Sequence, residues 1–223
     1  MGTHNGYRLR PATPADLPAL YRVCLLTGDS GKDGTTLQDD PTLLGKFFVG
    51  PYVVLEPDLA FTLEGPEGPA GYLLGALDTA AFNRGLEAEW LPPLRREVRD
   101  PGRDPRHWRK SDWVRRLIHV PELEPLPPLA PYPSHAHIDL LPEARGRGFG
   151  SRMMGFLMAR MAARGSPGLY LSVAPSNKDG QRFYRRLGFE ILDDAALPDH
   201  TTFMARKLDD MRGRPAPEIP DLG

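Results

Sequence analysis

Cysteine is almost missing from this 223-residue chain. Cys24 is the only one, which excludes an intrachain disulfide. Net charge is nearly missing too: 28 Lys and Arg against 29 Asp and Glu leave a formal charge of -1, so no global field draws the chain to nucleic acid. No apolar run reaches bilayer-spanning length, and no N-terminal apolar stretch resembles a secretion signal. The expected address is therefore the cytoplasm, with neither membrane nor nucleic acid as a partner. No internal repeat is visible. Hydrophobic residues at 40% fit a globular protein, and the length is near the upper end for one domain. Proline and glycine are plentiful at 25 and 23 residues. They cluster between Pro92 and Pro133 and after Gly213, where long irregular connections are expected. Residues 1–210 read as one domain and 211–223 as a loose tail.

Taken in order, residues 7–10 read as a short strand. Thr13, Pro14 and Asp16 then supply a cap, a first-turn proline and a capping box. Leu17, Leu20, Tyr21, Cys24 and Leu25 follow on one helical stripe, which makes Cys24 a small buried hydrophobe rather than a reactive thiol. Residues 27–40 read as a polar loop carrying Asp29, Asp33, Asp39 and Asp40, and residues 41–49 as a short helix. Residues 59–64 and 70–77 form a hairpin around the Gly65-Pro66-Glu67-Gly68 turn. Residues 79–98 are helical in character, broken by Pro92-Pro93. Trp113, Val114, Leu117 and Ile118 have helical spacing. The interleaved Arg and Trp of residues 99–116 also allow a nucleic-acid surface, but their helical spacing favours core or subunit contact, including a homodimer contact, over it. The run from Pro125 to Pro133 returns extended.

The densest chemistry lies from His135 to Phe189. A strand over residues 135–141 puts His135, His137 and Asp139 on one face and Ala136, Ile138 and Leu140 on the other. It runs into Arg145-Gly146-Arg147-Gly148-Phe149-Gly150, then a helix from Ser151. Glycines permit positive φ and close ligand approach, and the first N–H groups of a helix lack partners. With two arginines beside them, they suit a phosphate-bearing ligand. The spacing is neither the dinucleotide fingerprint nor a Walker A loop. A flexible surface turn remains the alternative.

Arg145-x-x-Gly148-x-Gly150 after a strand resembles the signature of the GNAT superfamily of N-acetyltransferases. Asn177, Phe183-Tyr184 and Leu187-Gly188-Phe189 resemble its second conserved segment. The run from Tyr132 to Pro142 is similar to the acetyltransferase-like domain associated with O-GlcNAc hydrolase and its free-standing bacterial relatives. The resemblance implies a mixed α/β (α+β) fold, with a splayed central sheet flanked by helices and residues 79–133 inserted between the third and fourth strands. It implies acetyl-CoA as cosubstrate. The backbone of Arg145, Gly146, Arg147, Gly148, Phe149, Gly150 and Ser151 would hold the pyrophosphate. The strand end at Leu140 and Leu141 would pair with the pantetheine arm, and Asn177 would contact that arm or cap its helix.

Direct acyl transfer from a thioester to an amine needs a neutral amine, a stabilised oxyanion and a proton for the leaving thiolate. Tyr184 is the candidate acid by its place in the resemblance, or else a packing tyrosine. Asp139 is the candidate base or orienter, or else an aspartate held by N–H groups or an arginine. His135 and His137 share its face; packing or relay roles outrank a metal site, for which no second ligand cluster is evident. The acceptor is a primary amine, with a small molecule favoured over a protein lysine. The alternative is a weakly active or inactive protein of the same fold that binds acetyl-CoA or a protein partner.

Overall fold

The computed structural model describes residues 6–124 and 126–222. Residues 1–5, Pro125 of the proline-rich return and Gly223 of the tail lie outside the described residues. Seven strands, β1 (Arg8–Pro11), β2 (Ala60–Gly65), β3 (Gly68–Ala76), β4 (Ser134–Leu140), β5 (Gly168–Val173), β6 (Glu190–Ile191) and β7 (Thr202–Lys207), make one sheet. Their order is β1-β2-β3-β4-β5-β7-β6. All neighbours are antiparallel except β4 and β5, which run parallel. The β2–β3 hairpin turns where Gly65 and Gly68 close it, and its bulge falls at Leu63/Glu64. Strands β2 and β3 are buried on both faces because helices cover both faces.

Helices α1 (Leu17–Thr27), α2 (Leu43–Phe48) and α3 (Gly50–Leu55) cover one face. Their core joins Leu20, Val23, Leu43 and Val53 to Tyr72 and Leu74 of β3. Helix α7 (Phe149–Ala163) covers the other face, with Met153, Leu157 and Met161 against Phe61 and Leu73. Thr13 and Asp16 form the expected capping box, in a short 3-10 turn that leads into α1. Asp16 also binds Arg10 at 2.7 Å, and that hydrogen bond draws its carboxyl down to about 2. Pro51 in the first turn of α3 is preorganised for a helix, and Val53 finds its burial in α1's core.

Residues between β3 and β4 form the insertion, built from α4 (Thr79–Gly85), α5 (Leu91–Glu97) and α6 (Asp112–His119). Pro92 and Pro93 do not break the helix as expected. They occupy the first turn of α5, where a missing N–H costs nothing, and the irregularity sits just before them in a π turn over Leu86–Trp90. Helix α6 docks on the acidic loop through polar contacts. Ser111 Oγ donates to Gln38 Oε1 at 2.8 Å, and the Asp39 N–H donates to Ser111 Oγ at 3.0 Å. Arg99 and Arg115 close on the buried Asp112, and Arg115 also reaches Asp39. Arg106 and Arg116 pair with Asp104 and Asp100. Those partners neutralise four of the arginines that suggested a nucleic-acid surface. The tail is anchored at its end: Leu222 is 1% exposed in the α7 core, and Arg152 binds the Asp221 and Leu222 carbonyls.

Helices α1 and α2 touch at a glycine. A Cβ on Gly45 would stand 2.3 Å from the Tyr21 ring and 2.6 Å from its Cα, so a backbone atom blocks relaxation. Gly45→Ala should therefore destabilise the protein by about 1–3 kcal/mol despite alanine's better helix propensity. Urea unfolding would read this as a lower midpoint; an unchanged or raised midpoint would show the two helices free to separate.

Candidate active site

The fourth and fifth strands part almost as soon as they meet. Ser134 pairs with Leu169 and His135 with Tyr170, and among the described residues the register ends there. A hydroxyl knot holds the apex: Ser134 Oγ lies 2.6 Å from the Leu77 carbonyl and 2.7 Å from Ser166 Oγ, which lies 2.9 Å from the Gly168 carbonyl. Beyond it the sheet opens into a cleft of about 1730 Å³. The Leu141 N–H donates to Ala70 at 2.8 Å. By strand alternation the backbone groups of Ile138 and Leu140 then face the opening. The Leu140 carbonyl accepts from Arg145 Nε at 2.7 Å.

At one end of the cleft stands the glycine turn. Gly146 and Gly148 are left-handed, with φ of 72° and 78°, and Gly148 is the N-cap of α7. A Cβ at Gly148 would meet nothing within 4 Å, so the space in front of the helix's free N–H groups is open to a ligand. Gly150 is different: a Cβ there would press on the Phe183 ring at 3.2 Å. The first glycine pair thus serves approach to the turn, and Gly150 serves packing of α7 against α8 (Lys178–Arg186). Arg145, Gly146, Gly148, Phe149, Gly150 and Ser151 line the cleft. Arg147 does not: it stacks over the Tyr7 ring at 5.4 Å and donates to the Glu143 carbonyl. Leu141 is also off the cleft, with its N–H spent on β3 and its side chain buried in the α1 core.

The middle of the cleft holds a polar cluster. Tyr72 lies opposite Asp139 in the β3–β4 register. Its hydroxyl donates to Asp139 Oδ2 at 2.5 Å and lies 3.2 Å from His137 Nε2. His137 Nε2 is 3.1 Å from the same carboxylate oxygen, and its Nδ1 is 3.2 Å from the Phe48 carbonyl. Burial pulls the His137 imidazole down, but the hydrogen bond and charge of Asp139 outweigh it and hold the group above its ordinary value. Cys24 borders the cluster; burial and the Asp139 charge push its thiol up to about 12, so it stays protonated and unreactive. Tyr72 escaped the sequence reading. Its signal was a lone hydroxyl inside the apolar run of β3, which a buried strand must partner.

Tyr184 faces the cleft from α8. Burial and the Asp139 charge push its phenol up, which keeps it a proton donor. Its hydroxyl makes no protein hydrogen bond among the described residues. Asn177 lines the cleft as well, but its Oδ1 is spent capping α8 on the Gly180 N–H at 2.8 Å. Of the acidic loop, Asp33 and Asp40 cap local turns and Asp39 pairs with Arg115, leaving Asp29 at the cleft.

His135 sits at the apex in a continuous proton-ordered chain. Thr79 Oγ1 donates to the Pro133 carbonyl at 2.8 Å, so it accepts from His135 Nδ1, also at 2.8 Å. Burial with the nearby His137 lowers the His135 pKa to about 4, and in that neutral ring Nε2 accepts from the Tyr52 hydroxyl at 2.8 Å. The chain ties α3, β4 and the first turn of the insertion together. Among the described residues no group of three or more His, Cys, Asp or Glu has metal-holding geometry.

Residues 123–189 match the Acetyltransferase (GNAT) family. The O-GlcNAcase of Rattus norvegicus is 30% identical over 209 residues, covering 92% of this chain; the chain spans 22% of that protein's length. The crystal structure of SsHAT is 35% identical with a TM-score of 0.83, covering 91% of this chain and 98% of its own. YncA of Salmonella typhimurium, solved with its cofactor acetyl-CoA, shares the fold at a TM-score of 0.50 and 16% identity, over 95% of this chain and 98% of its own.

The neutral His135 makes stability depend on pH with a definite sign. Between about 4 and its ordinary 6.5 the unfolded chain binds a proton that the folded chain refuses. Stability therefore falls as pH drops through that window, by at most about 3 kcal/mol from this group. His137, whose pKa is raised, works in the opposite direction. The stability gap between parent and His135→Gln should therefore shrink as pH falls from 6.5 to 4; a gap that stays flat would show that His135 titrates normally.

Proposed function

The chain belongs to the acetyltransferase (GNAT) family, and we propose that it transfers an acetyl group from acetyl-CoA directly to a primary amine. One observation carries this reading. Asp139 and the Tyr184 hydroxyl, which has no hydrogen-bond partner among the described residues, face one cleft, at the gap between β4 and β5, with the glycine turn at its end. When bound, acetyl-CoA supplies the activated thioester. The open space before Gly148 and the free N–H groups of α7 fit its pyrophosphate, and the Ile138 and Leu140 backbone fits its extended arm. Asp139 orients the amine and takes its proton. The amine nitrogen bonds to the acetyl carbon, the carbon–sulfur bond breaks, and Tyr184 gives its proton to the sulfur. A covalent route finds no support, since the thiol of Cys24 is buried and held protonated. A small amine is favoured over a protein lysine, because Phe82, Leu123 and Leu129 of the insertion add an apolar wall to the same cleft.

A second reading has its own support: Arg145 occupies the Leu140 carbonyl that an extended ligand would use. Acetyl-CoA binding without turnover against a broad amine panel would favour that non-catalytic protein.

Calorimetry with acetyl-CoA tests the primary reading, and no heat at millimolar ligand would end it. Gly148→Val should abolish coenzyme binding, since the side chain would fill the approach and strain a left-handed residue. A folded variant that binds like the parent would remove the turn from the coenzyme site. Tyr184→Phe should bind acetyl-CoA normally and transfer about 10²-fold more slowly, the low end for a lost proton donor, because a thiolate leaves tolerably well unprotonated. Unchanged turnover would remove Tyr184 from the mechanism.

A further inference from the structure

We infer that Tyr72 and His137 are positioning residues for Asp139, pinning its Oδ2 from two sides so that Oδ1 alone is offered to the acceptor amine. This rests on the reading of Asp139 as the amine-facing carboxylate. The contacts form a closed triangle: Tyr72 hydroxyl to Oδ2 at 2.5 Å, His137 Nε2 to Oδ2 at 3.1 Å, and Tyr72 hydroxyl to His137 Nε2 at 3.2 Å. No protein hydrogen bond reaches Oδ1 among the described residues, while the Asp139 side chain keeps 24% of its surface accessible.

Proton counting sharpens the inference. The Phe48 carbonyl can only accept, so His137 Nδ1 carries a hydrogen. The carboxylate oxygen facing Nε2 accepts as well, so that contact needs a second hydrogen. Tyr72 has only one, and it is directed at Oδ2. The triangle therefore holds an extra proton between His137 Nε2 and Asp139 Oδ2. Four titratable groups near them stay neutral. Cys24 from α1, Tyr72 from β3 and Tyr184 from α8 are held protonated, and His135, two residues along β4, is held unprotonated. Asp139 is accordingly the charged partner that His137 answers to.

The consequence is geometric. An aspartate's terminal torsion is broad, so an unpinned carboxylate would present either oxygen over a wide arc. Two donors on one oxygen stop that rotation. The Phe48 carbonyl stops the imidazole from turning away, and Phe48 itself belongs to α2, on the acceptor side of the sheet. An error of about 1 Å in such a group can cost 10²-fold in rate.

Two measurements decide it. The first needs no turnover: NMR of the protein with ¹⁵N-labelled histidine, parent against Asp139→Asn. The parent should show His137 protonated at both nitrogens near neutral pH, with a midpoint above the ordinary value, and Asp139→Asn should lower that midpoint. Equal midpoints would overturn the pairing. The second is kinetics with acetyl-CoA and a panel of primary alkylamines. Tyr72→Phe and His137→Leu should each lower kcat about 10²-fold, with the acetyl-CoA dissociation constant unchanged, and His137→Gln, which keeps a donor, should recover part of the loss. Parent-like kcat in a folded Tyr72→Phe or His137→Leu would overturn the positioning role. A parent that turns over no amine would remove the acetyl-transfer reading instead, while the NMR comparison still decides the pairing.

Discussion

Everything at the site depends on the parting of β4 from β5. Two residue pairs hold these parallel strands together, Ser134 with Leu169 and His135 with Tyr170. A backbone that leaves its ladder in mid-sheet exposes N–H and C=O groups that must find other partners. Here the cost is confined by the Ser134 and Ser166 hydroxyls, which tie the apex to the Leu77 and Gly168 carbonyls. The parting creates the cleft, turns the Ile138 and Leu140 backbone toward it, and brings side chains from β3, β4 and α8 within reach of one another.

The two histidines of β4 show how one strand face supports opposite electrostatics. His135 and His137 are two residues apart and point the same way. His135 meets a threonine committed to a carbonyl and a tyrosine hydroxyl, and burial keeps its ring neutral. His137 meets a carbonyl and a carboxylate, partners that fit the protonated ring. The first therefore serves as a neutral tie between the insertion and the sheet, and the second as a charged partner of Asp139. Like charges on both would repel across the strand; the division of partners avoids this.

Much of the architecture was readable from local pattern. The hairpin around Gly65 and Gly68, the capping box of Thr13 and Asp16, and the strand, glycine turn and helix from Ser134 to α7 each depend on a few neighbouring residues. Where the reading failed, distant packing had overridden local preference. Pro92 and Pro93 sit harmlessly because the π turn before them resets the helix. Leu222 is buried because α7 leaves a place for it and Arg152 holds the neighbouring carbonyls.

The sequence by itself determined the run of strand, glycine turn and helix and the presence of Asp139 on that strand, because these follow from residue type and spacing within short stretches; Tyr184 came from its place in the resemblance. Only the tertiary structure decided what each candidate touches. Tyr72 lies 67 residues before Asp139, and Tyr52 lies 83 residues before His135. Arg147 turned to Tyr7, and Leu141 to Ala70. Hydrogen-bond partners and charge states depend on groups brought together across the sheet, and no local pattern encodes a contact whose two halves lie so far apart in the chain.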